Sequence, residues 1–73
     1  MHIGQLIFQK MKERHISVVD LAKKMNCSRT NIYKIFEKES IDTQLLFRFS
    51  IILDFDFFNC YSREICLKKK MQS

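Results

Sequence analysis

The sequence predicts a single all-α domain of five short helices. Three observations point there. Proline is absent and Gly4 is the only glycine, so the turns of a β-rich fold this small would lack their usual residues. Apolar residues recur every three or four positions rather than in alternation, which is the period of an amphipathic helix. One local pattern also occurs three times, as Ile16-Ser17…Leu21, Cys27-Ser28…Ile32 and Ile41-Asp42…Leu46. In each, a Ser or Asp oxygen is placed to accept a free amide of a first helical turn, and the flanking apolar pair staples the chain into the helix.

The elements follow in order. Ile3, Leu6, Ile7 and Met11 form one stripe and predict a first helix over 3–14, with Gln5, Gln9, Lys12 and Glu13 outward and Phe8 partly exposed beside the stripe. The three caps start helices near 18, 29 and 43, and Ser17 with Asp20 adds a weak capping box. The helix over 18–25 buries Leu21, Ala22 and Met25. The next, over 29–36, buries Ile32, Ile35 and Phe36. Only Asn26-Cys27-Ser28 lies between them, the length of the connection in a helix-turn-helix. Asn26 stands where the chain needs a left-handed residue, a conformation that Asn tolerates. A fourth helix over 43–53 buries Leu45, Leu46, Phe49, Ile52 and Leu53. Asp56 caps a fifth carrying Phe57, Phe58, Tyr61 and Ile65. Lys68-Lys69-Lys70 and the three residues after them read as a frayed end. The domain is thus expected over 1–66, with a basic tail over 67–73.

A chain of 73 residues makes one domain with a thin core. Its net charge of +5 suits a polyanionic partner, either nucleic acid or an acidic membrane surface. No apolar run reaches the length of a membrane span, and no basic flank followed by an apolar segment opens the chain, so a soluble, cytoplasmic protein is expected. Cys27, Cys60 and Cys66 are odd in number and form no CxxC pair, and with His2 and His15 they make no zinc-type spacing. Reduced thiols, no metal and no cofactor are expected. Nothing groups a nucleophile with a base, and no phosphate-binding loop is present, so no catalytic residue is assigned and an enzyme is not expected.

Residues 3–53 resemble the lambda-repressor and Cro-like helix-turn-helix family, also called the xenobiotic-response-element type. The resemblance runs from Ile3-Gly4 through Ser17, Leu21-Ala22, Met25, Ser28 and Ile32 to Ile35. It resumes at Asp42-Thr43-Gln44-Leu45-Leu46 and ends near Leu53. It covers about two thirds of the chain, with the motif over 18–36. Ala22 lies where the two motif helices cross, since only a small side chain lets the backbones approach there. With Ile32 and Ile35 turned inward, the second motif helix shows Arg29, Thr30, Tyr33, Lys34 and Glu37 on its other face.

The resemblance implies a DNA-binding domain that lays this helix in the major groove. Arg29, Thr30 and Lys34 match the family's usual base readers. Arg29 suits guanine, Thr30 a base edge or a thymine methyl, and Lys34 a base or a phosphate. Tyr33 suits a sugar or phosphate, and Asn31 lies nearer the turn. Ser17, Ser28 and Lys38 are the candidate phosphate contacts, the two serines at helix N-termini where free amides favour anions. Lys10, Arg14, Lys23 and Lys24 are read as adding long-range field. The chain departs from the family in three ways: Lys38 stands where glycine is common, Glu39-Ser40 lacks the usual proline, and Met11 and Phe36 replace a common arginine–glutamate pair.

The resemblance also implies a transcriptional regulator acting as a homodimer on double-stranded DNA. Phe55, Phe57, Phe58, Tyr61 and Ile65 exceed what a thin core needs, and either form the dimer face or close the core over the fourth helix. Two other classes fit the same residues. One is an antitoxin-like module whose C-terminal aromatics clamp a partner protein such as a toxin. The other is an architectural nucleic-acid binder that uses charge alone.

Overall fold

The computed structural model describes residues 1–72. It contains five α-helices: α1 (Ile3–Glu13), α2 (Val18–Met25), α3 (Arg29–Phe36), α4 (Thr43–Leu53) and α5 (Phe57–Gln72). No strand occurs among the described residues.

Local chemistry starts each helix. The Ser17, Ser28 and Asp42 side chains accept the backbone N–H of Asp20, Asn31 and Leu45 at 3.1, 3.1 and 2.8 Å. Asp56 does the same for Asn59 at 3.1 Å. His2 caps α1 through Nδ1, which accepts the Gln5 N–H at 3.1 Å. Three non-glycine residues at helix ends take left-handed backbone: His15 (φ 59°), Asn26 (φ 56°) and Asp54 (φ 50°).

Two arginines finish helices from a distance. Arg14 donates from Nε to the Leu53 carbonyl at 2.9 Å and from Nη2 to the Asp54 carbonyl at 2.8 Å. Arg48 donates from Nη2 to the Met25 carbonyl at 2.9 Å. These carbonyls sit at the C-terminal ends of α4 and α2, where a cation complements the negative pole of the helix dipole and bonds acceptors that have no partner within the helix. Arg14, read as a source of long-range field alone, thus has a local structural bond as well.

The helices pack in a simple order. α3 rests on α1 and α2, α4 rests on the same two, and α5 covers α4. The core is wholly apolar and includes Ile3, Ile7, Leu21, Ile32, Phe49, Leu53 and Phe57 at full burial. Leu6, Leu45 and Ile52 are half-buried at its margin.

α1 meets the end of α3 at very short range. Gly4 lies against backbone: a Cβ built there would stand 2.3 Å from the Phe36 carbonyl oxygen and 2.5 Å from that of Ile35. The first amides of α1 turn to the chain that leaves α3. Ile3 N–H donates to the Glu39 carbonyl and Gly4 N–H to the Lys38 carbonyl, both at 2.9 Å. This contact fixes the exit from α3.

The structure corrects five expectations. Leu45 and Ile52, expected in the core, are half-buried at its margin, and α4 buries Leu46, Phe49 and Leu53. The fifth helix does not fray after Ile65: residues 67–72, Lys68, Lys69 and Lys70 among them, continue α5, and Ser73 lies outside the described residues. Every residue from Ile65 to Met71 is exposed. This projecting end accounts for a long axis of 45 Å against 20 Å for the others, and for a radius of gyration of 13.2 Å, where a compact chain of this length has about 11 Å. Phe36 is half-buried rather than buried, and its ring partner on α1 is Phe8, edge-on at 5.1 Å. The first helix ends at Glu13, with Arg14 as its cap. Phe57 cannot serve a dimer face, because it is fully buried under α4. Phe55 is half-buried, edge-on to Phe57 at 4.9 Å, with the Lys10 ammonium 4.4 Å from its ring centre. Phe58 and Ile65 remain exposed.

Candidate nucleic-acid interface

The candidate surface is built from α2, α3 and the three residues between them. α2 ends because Asn26 turns left-handed, which lets the Cys27 N–H reach back to the Ala22 carbonyl at 3.0 Å. Ser28 then starts α3 at once. Ala22, 4% exposed, lies in the buried layer where α2 meets α3. Ile32 and Ile35 are buried one turn apart on α3 and fix which way that helix faces.

Every sequence-predicted reader is exposed: Arg29, Thr30, Asn31, Tyr33 and Lys34. On the 3.6-residue repeat, Thr30, Tyr33, Lys34 and Glu37 lie opposite the buried pair, while Arg29 and Asn31 flank them. The face therefore brings two cations, two neutral hydrogen-bonding side chains, a phenol and one carboxylate onto two turns of helix. Neither ion pair among the described residues, Lys10–Glu13 or the Met1 amino group with Glu64, involves it. Its charges stay available to a ligand.

Tyr33, 55% exposed, is held from behind. Its ring stands edge-on to Phe36 at 6.2 Å, and Phe36 stands edge-on to Phe8. The Lys12 ammonium lies 5.1 Å from the centre of the Phe8 ring. A row of three rings thus runs from α1 to the exposed face of α3, with a cation over the ring at its α1 end. Sequence reasoning left Phe8 as a partly exposed residue beside the stripe. Its role needs the α1–α3 crossing, which periodicity within one helix does not give.

The predicted phosphate contacts divide. Ser17 and Ser28 have their oxygens engaged as caps, and each keeps its exposure and hydroxyl proton. Lys38 is exposed just past α3, and its own carbonyl is tied to Gly4, so the backbone carrying the ammonium is anchored. Gly4 is the element that sequence reasoning passed over. A lone glycine inside a helical pattern is a signal of close packing.

Comparison with protein-family models, curated proteins and solved structures returns no match. Among the described residues no three of His, Cys, Asp and Glu gather as a metal site would require. The three cysteines are free, Cys27 and Cys60 half-buried and Cys66 exposed. No helix among these residues is long and apolar enough to cross a membrane.

Proposed function

We propose that the chain is a helix-turn-helix protein that binds double-stranded DNA by sequence and regulates transcription as a homodimer. One observation carries the reading: a short helix, locked from behind by Ile32 and Ile35, shows Arg29, Thr30, Tyr33, Lys34 and Glu37 outward beside two capped helix N-termini. An α-helix fits the major groove, and these side chains are the types that read base edges. Arg29 gives two parallel bonds to guanine. Thr30 meets a base or a thymine methyl. Lys34, one turn on, reaches a base or a phosphate. Asn31 touches the groove wall beside the turn, and Glu37 accepts from a cytosine amino group. Ser17, Ser28, Lys38 and the amides they flank hold the backbone phosphates that set the register. The net charge of +5 favours the encounter.

A dimer presents two such helices one duplex turn apart, about 34–36 Å. The bound site is then a near-palindrome with half-sites about ten base pairs apart. Selection of binding sites from random duplexes by the purified protein tests the reading. An enriched palindromic consensus supports it, and Arg29→Ala relaxes the choice at one base pair per half-site, a loss of about 1–3 kcal/mol of discrimination. Equal recovery of all sequences leaves a charge-driven architectural binder. Recovery of none refutes the DNA-binding assignment.

A further inference from the structure

Tyr33 combines two properties on α3. Its side chain is exposed and its hydroxyl has no hydrogen-bond partner among the described residues, yet its ring is held on one side. Phe36 stands edge-on to it at 6.2 Å, and Phe8 of α1 stands edge-on to Phe36 at 5.1 Å. The base of this row is firm. Gly4, one turn before Phe8, lies against the carbonyls of Ile35 and Phe36, and the Ile3 and Gly4 amides are bonded to Glu39 and Lys38. α1 cannot slide along the end of α3 without breaking that contact. Phe8 itself is 40% exposed and stands off the apolar stripe of α1, so the core does not require a ring there. What a ring adds is an oriented edge-to-face contact, which an aliphatic side chain of similar size does not give.

We propose that Phe8 is a positioning residue for DNA binding: through Phe36 it holds Tyr33 in one orientation, and the Tyr33 hydroxyl donates to a backbone phosphate oxygen of the strand on the α1 side of α3. The inference rests on the major-groove reading and extends that site to a residue of α1 that does not touch DNA. On the helical repeat Thr30 and Glu37 face straight outward, and Tyr33 lies between them and Phe36, on the flank toward α1. A side chain on the flank of a helix in the major groove meets the groove wall, which is sugar and phosphate rather than base edges. The phenol is neutral, so its contact releases no counterion, unlike that of a lysine. Fixing Tyr33 before binding lowers the side-chain entropy that binding has to remove. Phe8 thus acts on affinity by preorganisation and leaves sequence choice alone, because phosphates carry no base information.

Duplex affinity and NMR of the free protein test it together. On the duplex enriched by site selection, Tyr33→Phe binds about tenfold more weakly, with the same consensus and the same salt slope. Phe8→Ala weakens binding by about two- to tenfold, again with consensus and salt slope unchanged. In a Tyr33→Ala background the same Phe8→Ala change costs nothing further, which a general loss of folding would not reproduce. Phe8→Leu keeps apolar bulk at a partly exposed position, so it should melt close to the parent and still lose affinity as Phe8→Ala does. In the free protein, scalar couplings of Tyr33 report one χ1 rotamer in the parent and averaging among rotamers in both Phe8 variants. Equal losses from Phe8→Ala with and without Tyr33 overturn the proposal, as do couplings that ignore Phe8. A consensus that changes in Tyr33→Phe assigns the hydroxyl to a base edge and overturns the phosphate contact. A parent for which site selection enriches no duplex removes the DNA reading and this inference with it. A parent that selects its site but shows no coupling between Phe8 and Tyr33 overturns this inference alone.

Discussion

Replacing Gly4 by alanine sets helix propensity directly against packing. In an exposed helix the change gains about 1 kcal/mol. Here the new Cβ would stand 2.3 Å from the Phe36 carbonyl oxygen, 2.5 Å from that of Ile35 and 2.6 Å from the Phe36 carbonyl carbon. Carbon and oxygen pack at about 3.3–3.6 Å, so α1 and the end of α3 have to separate by roughly 1 Å. All three obstructing atoms are backbone, and no side chain can swing away to make room. Overpacking of this kind costs about 1–3 kcal/mol. The separation also stretches the two 2.9 Å bonds from Ile3 and Gly4 to Glu39 and Lys38, a loss of about 1 kcal/mol each. The net expectation is a destabilisation of about 2–4 kcal/mol once the propensity gain is subtracted. In a domain this small that lowers the melting temperature by on the order of 10–25 °C. Thermal and urea unfolding followed by circular dichroism give the value, with the exposed Gln5→Ala as a neighbour that changes little. A Gly4→Ala protein that melts at or above the parent would refute the close approach and the tie between α1 and the exit from α3.

Other substitutions separate structural from binding roles. Ala22→Phe overpacks the α2–α3 layer and should cost roughly 1–3 kcal/mol or more, read by urea unfolding; a stable variant would move the crossing elsewhere. Arg14→Ala removes two hydrogen bonds from the end of α4 and should cost about 1–2 kcal/mol, and an unchanged urea midpoint would show that solvent replaces the guanidinium freely. Ser17→Asp keeps a capping oxygen, since Asp caps as well as Ser, but adds a negative charge where a phosphate is proposed. Its melting temperature should hold while its affinity for the selected DNA site falls. Full affinity would remove the α2 N-terminus from the interface.

The helix starts were legible because their causes are local. Ser17, Ser28 and Asp42 each carry the oxygen that caps the helix behind them, and the structure places all three as the sequence predicts. Asn26 announced its left-handed backbone by residue type. His15 and Asp54 adopt the same conformation, and Arg14 donates to the Asp54 carbonyl from a helix far away in sequence. His2 as a cap was missed for a related reason, since an imidazole seldom takes that place. The exposed face of α3 followed from Ile32 and Ile35 alone. The row from Phe8 through Phe36 to Tyr33, the Gly4 approach and the reach of Arg48 to Met25 join residues far apart in sequence, and no window along one helix contains them. Phe55, Phe57 and Phe58 read as one aromatic run, yet Phe55 is half-buried, Phe57 buried and Phe58 exposed.

The bonds from Ile3 and Gly4 to Glu39 and Lys38 have a consequence for motion. Amides in the first turn of a helix ordinarily face water and exchange their hydrogens fast. These two are held by carbonyls on the far side of α3, so their exchange waits for α1 to lift away from residues 38 and 39. Lifting that end also frees the exit from the proposed reading helix. The amides of Ile3, Gly4 and Lys38 should therefore exchange with one shared opening free energy, as members of a single cooperative unit. The opening residues of the chain and the last turn of α3 would then come loose together or not at all.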